Sequence, residues 1–236
     1  MQSVYKFPIA MTVLHQVDEG KLQLDQPVPI QKSFYVGPHQ HSPLRDKYPQ
    51  GGVSIPLREL LNYNVSESDG SACDILLNLI GGPERANSFI RSLGIRDIAI
   101  LNTEKEIGAD VSVQYRNYAT PAAAVQLLKA FQEGRGLSTP SQEFLRGLMI
   151  QTETGLHRLK GNLPPGTEVA HKTGTSNTTE GLTHATNDIG LITLPDGRHL
   201  AVAVFVSDSR ASQDTREAVI AGIARAAWDH WVQTKK

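Results

Sequence analysis

The sequence predicts an α+β fold, and three observations carry that reading. Through most of the first two thirds, apolar residues recur at three- and four-residue steps, the period of amphipathic helices. The period then changes: Glu168 to His171, Ala185 to Leu194 and Leu200 to Val206 are short runs rich in Val, Ile and Thr, the composition of strands. A final helical stretch spans residues 213 to 232.

Taken in order, Val4, Phe7, Met11, Leu14 and Val17 share one stripe of a first helix that ends near Gly20, with Gln16, Asp18 and Glu19 on other faces. Residues 21 to 55 are rich in Pro, Gly and His and read as irregular. Three short helices follow. The first runs from Pro56, a favourable first-turn residue, to about Tyr63. The second runs from about Ser71 to Ile80 and stops at Gly81-Gly82. The third begins near Pro83 and stops at Gly94, each glycine being a C-terminal stop. Residues 95 to 119 have weak periodicity and many polar side chains, as a long functional loop does. Thr120-Pro121 opens a helix with Ala124, Leu127, Leu128 and Phe131 on one stripe, and Thr139-Pro140 opens another through Phe144, Leu145 and Leu148. The strands form an antiparallel meander, with Pro195-Asp196-Gly197 as the turn between the last two. The final helix is expected to anchor through Val219, Ile223, Trp228 and Trp231. No internal repeat or low-complexity segment is present in the sequence.

A chain of 236 residues can bury a substantial core. Lys plus Arg, 23, nearly balances Asp plus Glu, 24, without a basic block, which argues against nucleic acid or an anionic membrane as partner. No apolar run approaches the roughly 20 residues of a membrane span. The single cysteine, Cys73, excludes an internal disulfide and lies at an apolar helical position, where a thiol packs as a small hydrophobe. His39 and His41 could suggest a metal pair, but no third ligand of recognisable spacing follows, so neither metal nor cofactor is expected.

Chemistry concentrates in three stretches. Ser3 and Lys6 stand three apart at a helix start, so the ammonium can sit beside the hydroxyl; a serine is a weak nucleophile until a neighbour takes its proton. Ser68-Asp69-Gly70 links two of the short helices. Lys172-Thr173-Gly174-Thr175 closes the strand that begins at Glu168. In this order the three resemble the S-x-x-K, S-D-N and K-T-G motifs of class A β-lactamases and penicillin-binding proteins. From Ser3 onward the chain resembles a class A serine β-lactamase. Within that family it is most similar to the extended-spectrum PER/VEB subgroup, through Gln2, Gln114-Tyr115-Arg116-Asn117-Tyr118 and His171-Lys172-Thr173-Gly174-Thr175-Ser176.

The resemblance implies a β-lactamase/transpeptidase-like α/β sandwich, one catalytic domain over 1–236, with a helical part at about 21–165 and a sheet-and-helix part at 166–236. It implies acyl transfer to β-lactams of the penicillin and cephalosporin classes, conferring antibiotic resistance. Ser3 becomes the nucleophile, and Lys6 either accepts its proton or keeps the local field positive. The N–H groups of Ser3 and Thr175 form the oxyanion hole. Ser68 protonates the departing nitrogen, Lys172 holds Ser68 and draws in the substrate carboxylate, and Asp69 braces its loop. Glu104 activates the deacylating water, with Glu106 a rival two residues on. Gly70, Thr173, Gly174 and Thr175 line the substrate site. Arg158 matches an arginine that binds the carboxylate end, its fork being suited to that task. His41 falls at an aromatic gatekeeper position, and His171 reads as a packed or hydrogen-bonded histidine.

Two departures from the family pattern stand out. Gly108 replaces the Asn or His that helps to hold the deacylation water. Gly70 replaces the Asn of S-D-N, which should weaken substrate positioning and widen the cleft there. Glu104 separates a hydrolase from the alternative reading, a penicillin-binding DD-peptidase or sensor that stays acylated; Gly108 keeps that alternative open. The family is periplasmic or secreted, with an export signal, a helix and two sheet strands before the nucleophile. Met1 directly precedes the active-site helix, so the sequence reads as N-terminally truncated, with an exposed sheet edge and an inactive fragment as a further alternative. A monomer is expected.

Overall fold

The first helix is apolar on every side through Leu14, and a helix of that kind has to be surrounded. The computed structural model, which describes residues 1–234, places it at the centre. A 3-10 turn, Gln2–Tyr5, runs into helix α1, Lys6–Asp18, and Lys6 through Leu14 are all buried. Helices α3 (Leu57–Val65), α4 (Gly70–Ile80), α5 (Pro83–Ser92) and α8 (Thr139–Ile150) pack around it. Phe7 meets Phe131 of α7 (Pro121–Gln132) edge to face at 5.3 Å. Side-chain oxygens of Asp69, Thr120 and Ser138 cap α4, α7 and α8. Gly81, at φ +96°, ends α4 in the left-handed region that glycine enters freely.

The stretch read as irregular, 21 to 55, is partly ordered. Strands β1 (Pro27–Ile30) and β2 (Val53–Pro56) pair antiparallel, and helix α2 (Pro43–Lys47) lies between them in sequence. Three of the eight strand positions are prolines, which hid the pattern; an isolated ribbon has outer edges where a missing N–H does no harm. The functional loop is likewise built. Strands β3 (Ile98–Ala99) and β4 (Tyr118–Ala119) pair at its base. Between them lie helix α6 (Glu104–Ala109) and a 3-10 turn, Val111–Arg116.

The meander is antiparallel. Strand β7 (Leu182–Thr193) lies between β5 (Val169–Thr175) and β8 (His199–Ser209), and a short β6 (Thr178–Thr179) folds back on β7. The K-T-G stretch closes β5 from within the strand rather than beyond it. It is the second half of that strand, with Thr173, Gly174 and Thr175 opposite Asp188, Asn187 and Thr186. The far edge of β8 carries no strand partner among the described residues. One sheet face joins the α1 core through Ala170, Ile189 and Leu191. The other packs Val169, Ile192, Val202 and Val204 against Ile220 and Ala224 of α9 (Gln213–Gln233).

The anchors of α9 are not those expected. Val219, Ile223 and Trp231 are exposed, and Trp228 alone of the expected four packs partly against the sheet core. The buried face carries Ile220, Ala221 and Ala224 together with Arg216 and Glu217. Two polar bonds set its rotation: Arg216 Nε donates to Thr186 Oγ1 at 2.8 Å, and Arg158 Nε to Glu217 Oε1 at 3.0 Å. Turning the helix to bury Val219 would expose both, so satisfied buried polar groups outweigh two apolar side chains.

Candidate active site

Ser3 lies in the 3-10 turn ahead of α1, one turn before Lys6. Gln2 holds φ +53°, a left-handed conformation that costs a non-glycine residue about 1–3 kcal/mol, and its Nε2 is tied to Gln114 Oε1 at 2.6 Å. Lys6 Nζ, on a 2 % exposed side chain, has three oxygen partners at 2.8 Å: Ser3 Oγ, the Ser68 carbonyl and Glu104 Oε1. An ammonium has three protons, so all three are used. Burial alone would lower the Lys6 pKa; the Glu104 carboxylate more than offsets that, and the net direction is upward. For Glu104 burial pushes upward, the Lys6 charge pulls downward, and the second wins. The pair is therefore charged at neutral pH.

Glu104 opens α6, whose first turn is held from two sides. Thr103 and Glu106 form a reciprocal capping box. The Asp74 oxygens accept the Glu104 and Lys105 N–H groups at 2.8 and 2.9 Å. Burial, and then the Glu104 charge, push the Asp74 carboxyl up to about 7. Glu106 spends its carboxylate on the Thr103 N–H at 2.8 Å, whereas Glu104 is the acid that faces Lys6.

Ser68, at φ +59°, presents its hydroxyl to Lys172 Nζ at 2.7 Å. Lys172 is fully buried, and burial first, the Lys6 charge second, drive its pKa well below the ordinary lysine value despite Asp188 and Glu104. A lysine so placed exchanges a proton readily with a neighbour. Asp69 is buried and turned away, accepting from the Leu44 and Ala72 N–H groups and the Ser42 hydroxyl.

Strand β5 comes up against the Ser3 turn because Gly174 has no side chain. A Cβ there would lie 2.5 Å from the Met1 carbonyl oxygen and 3.1 Å from the Val4 nitrogen. The close approach brings the β5 backbone alongside Ser3, with Thr173 buried, its hydroxyl 2.7 Å from that of Thr154, and Thr175 exposed. Behind Thr175, the Arg158 fork is fully engaged. Nη2 donates to Thr175 Oγ1 at 2.8 Å, Nη1 to the Asn187 carbonyl at 3.0 Å and Nε to Glu217 at 3.0 Å. Arg158 and Glu217 side chains are 5 % and 7 % exposed. Arg158 thus stands one hydroxyl back from the cleft. His41 is exposed, 2.8 Å from the Glu67 carbonyl, on a cavity of about 620 Å³ that Glu67, Glu153 and Thr154 also line. His171 is fully buried with Nδ1 2.9 Å from Asp188, away from the cleft.

The expected widening at Gly70 is not present. Gly70 is buried, its N–H donates to the His41 carbonyl at 3.0 Å, and a Cβ would already lie 3.2 Å from Val36 and 3.3 Å from that carbonyl. Neighbours have moved into the volume a side chain would take. Asp74, Glu217, Asp188 and Gln40 escaped the sequence reading. For Asp74 a signal existed, a carboxylate within the apolar run Cys73, Ile75, Leu76; buried charge without a reason is rare. Among the described residues no group of three or more His, Cys, Asp and Glu is placed to hold a metal, and no helix is long and apolar enough to cross a membrane.

Comparison with known proteins gives the same direction. The beta-lactamase enzyme family matches residues 1–231. Extended-spectrum beta-lactamase PER-1 of Pseudomonas aeruginosa is 48 % identical over 228 residues, 97 % of this chain and 74 % of that protein. Beta-lactamase VEB-1 of the same organism is 41 % identical over 234 residues, 98 % of this chain and 78 % of that one. The crystal structure of TLA-3 extended-spectrum beta-lactamase superposes with a TM-score of 0.95 at 47 % identity, covering 98 % and 84 % of the two chains. A beta-lactamase from Chitinophaga pinensis gives 0.94 at 50 % identity, again covering 98 % and 84 %.

Proposed function

Since the chain belongs to the beta-lactamase enzyme family and is a class A β-lactam hydrolase, we propose that it works through a Ser3 acyl-enzyme which water, activated by Glu104, releases. Ser3 Oγ attacks the lactam carbonyl carbon, with the N–H groups of Ser3 and Thr175 facing the developing oxyanion. The ring C–N bond breaks and its nitrogen takes a proton from Ser68, held by Lys172, while the Ser3 proton passes through the Lys6 ammonium to Ser68. Lys6 gives up one proton as it receives another and so stays an ammonium, and Glu104 enters deacylation as a free carboxylate. In the second half-reaction Glu104 takes a proton from water, the hydroxide adds to the ester, and Ser3 regains its proton as the acid leaves. Hydrolysis destroys the drug, and that is the basis of resistance.

One observation carries this division of labour: a single ammonium bridges the nucleophile, the Ser68 carbonyl and Glu104. Glu104→Gln tests it. General bases contribute roughly 10²–10⁴-fold. Intact mass after mixing with benzylpenicillin should show an adduct that appears at the parent rate and then persists. Unchanged steady-state turnover would remove Glu104 from the role. The same reading extends the substrates to cephalosporins, with the Thr175 hydroxyl, oriented by Arg158, and Lys172 receiving the substrate carboxylate, and His41 stacking at the cleft mouth. The similarity to PER-1 and TLA-3, both extended-spectrum beta-lactamases, supports that breadth. The protein acts as a monomeric single catalytic domain, periplasmic or secreted, without a nucleic-acid partner.

A further inference from the structure

Gly108 leaves α6 without the side chain that the family pattern places beside the deacylating water, yet the volume is not empty. A Cβ on Gly108 would lie 2.0 Å from Gln40 Oε1, 2.3 Å from its Cδ and 2.7 Å from its Nε2. We propose that the Gln40 carboxamide stands in for the missing side chain and is a positioning residue for Glu104. This rests on the reading of Glu104 as the deacylation base.

Both ends of the carboxamide are engaged. Nε2 donates to the Glu104 carbonyl at 2.6 Å, and Oε1 accepts the Gly37 N–H at 3.1 Å. The turn that carries Gln40 is itself braced: the Gln40 N–H donates to the Gly37 carbonyl at 3.1 Å, and Arg45 Nη1 donates to the Gly37 and Gln40 carbonyls at 2.6 and 3.1 Å. Both peptide groups flanking the Glu104 Cα are thereby held. Asp74 takes the N–H and Gln40 gives to the C=O. A side chain at the first position of a one-and-a-half-turn helix has little else to fix its direction, and a 1 Å misplacement can cost about 10²-fold in rate. Gln40 and Gly108 are mutually dependent, because any side chain at 108 expels the carboxamide. Only the far end of a flexible side chain is displaced, so the fold survives the exchange.

The test is a double-mutant cycle on Gln40→Ala and Gly108→Ala, read by the appearance and clearance of the benzylpenicillin adduct in intact mass, with Glu104→Gln alongside. Each single variant should clear the adduct about tenfold or more slowly, one hydrogen bond of roughly 1.4 kcal/mol being a factor of ten. Adduct appearance should keep the parent rate, so kcat and KM fall together while kcat/KM holds. The double variant should be no slower than Gln40→Ala alone. Gln40→Glu, which cannot donate to the carbonyl, should behave as Gln40→Ala. Clearance in Gln40→Ala within twofold of the parent, or additive losses in the cycle, would overturn the inference while a persistent adduct in Glu104→Gln left the base assignment standing. Clearance at the parent rate in Glu104→Gln would overturn both.

Discussion

Asp74 is a carboxylate held against its own titration. It is 7 % exposed, and its pKa is moved from 3.8 to about 7, by burial first and the Glu104 charge second. A rise of about three units is roughly 4 kcal/mol. The native state binds this proton more tightly than the unfolded chain does, so between pH about 4 and about 7 stability falls as pH rises; above that the contribution is flat. Function runs the other way. Both oxygens accept N–H groups at the start of α6, an arrangement suited to the ionised form. Asp74→Asn removes the buried charge but turns an NH₂ toward one of those donors, at a cost of about 1–3 kcal/mol. The stability difference, variant minus parent, should climb by roughly 4 kcal/mol from pH 4 to 8, a swing of roughly 8–16 °C in melting temperature. Denaturant titrations of both proteins across that range measure it. Deacylation by the parent should decline below pH 7, which Glu104 cannot account for because its own pKa is lowered. Asp74→Asn should be slower at pH 8 and lack that decline. A pH-independent stability difference between the two proteins would refute the reasoning.

Two further outcomes follow from packing. Glu217→Gln leaves the buried Arg158 guanidinium without a counter-charge and should destabilise the fold by about 3 kcal/mol; it should also raise KM more than it lowers kcat, because Arg158 orients the Thr175 hydroxyl. An unchanged melting temperature would count against the pair. Gly70→Asn meets Val36 and the His41 carbonyl and should cost about 1–3 kcal/mol by overpacking. Adding Val36→Ala should recover that loss. Tighter penicillin binding by Gly70→Asn alone, without loss of stability, would show that the space is open after all.

The parts of the fold legible in the sequence were those written locally. Thr120-Pro121 and Gly81-Gly82 punctuate helices by their own backbone chemistry, and the Ser3 and Lys6 spacing places two side chains on one helical face without knowledge of anything else. Ser68 and Lys172 are 104 residues apart, and their 2.7 Å contact is a property of the assembled sheet and helices; only resemblance to a family brought them together. Prolines at 27, 29 and 56 obscured the first ribbon. The face of α9 was misjudged because Arg216 and Glu217 occupy it, and a pattern of apolar residues cannot register a buried ion pair. Gln40 and Asp74 act on backbone groups of a distant turn, which no spacing rule reports.

Ser3 and Glu104, the proposed nucleophile and base, are held in different ways. Ser3 leads into the helix around which the main core is built, and Met1 and Gln2 ahead of it are tied to Asn117 and Gln114. Glu104 sits on α6, where Ile107 is the one buried apolar side chain and most neighbours face solvent. Segments with so few apolar contacts open at much lower free energy than core helices do. As conditions become harsher, α6 is expected to open before the core does, carrying Glu104 away from Lys6. On the proposed roles, acylation without Glu104 in place would turn the hydrolase into a drug trap, consuming one β-lactam per molecule and holding it.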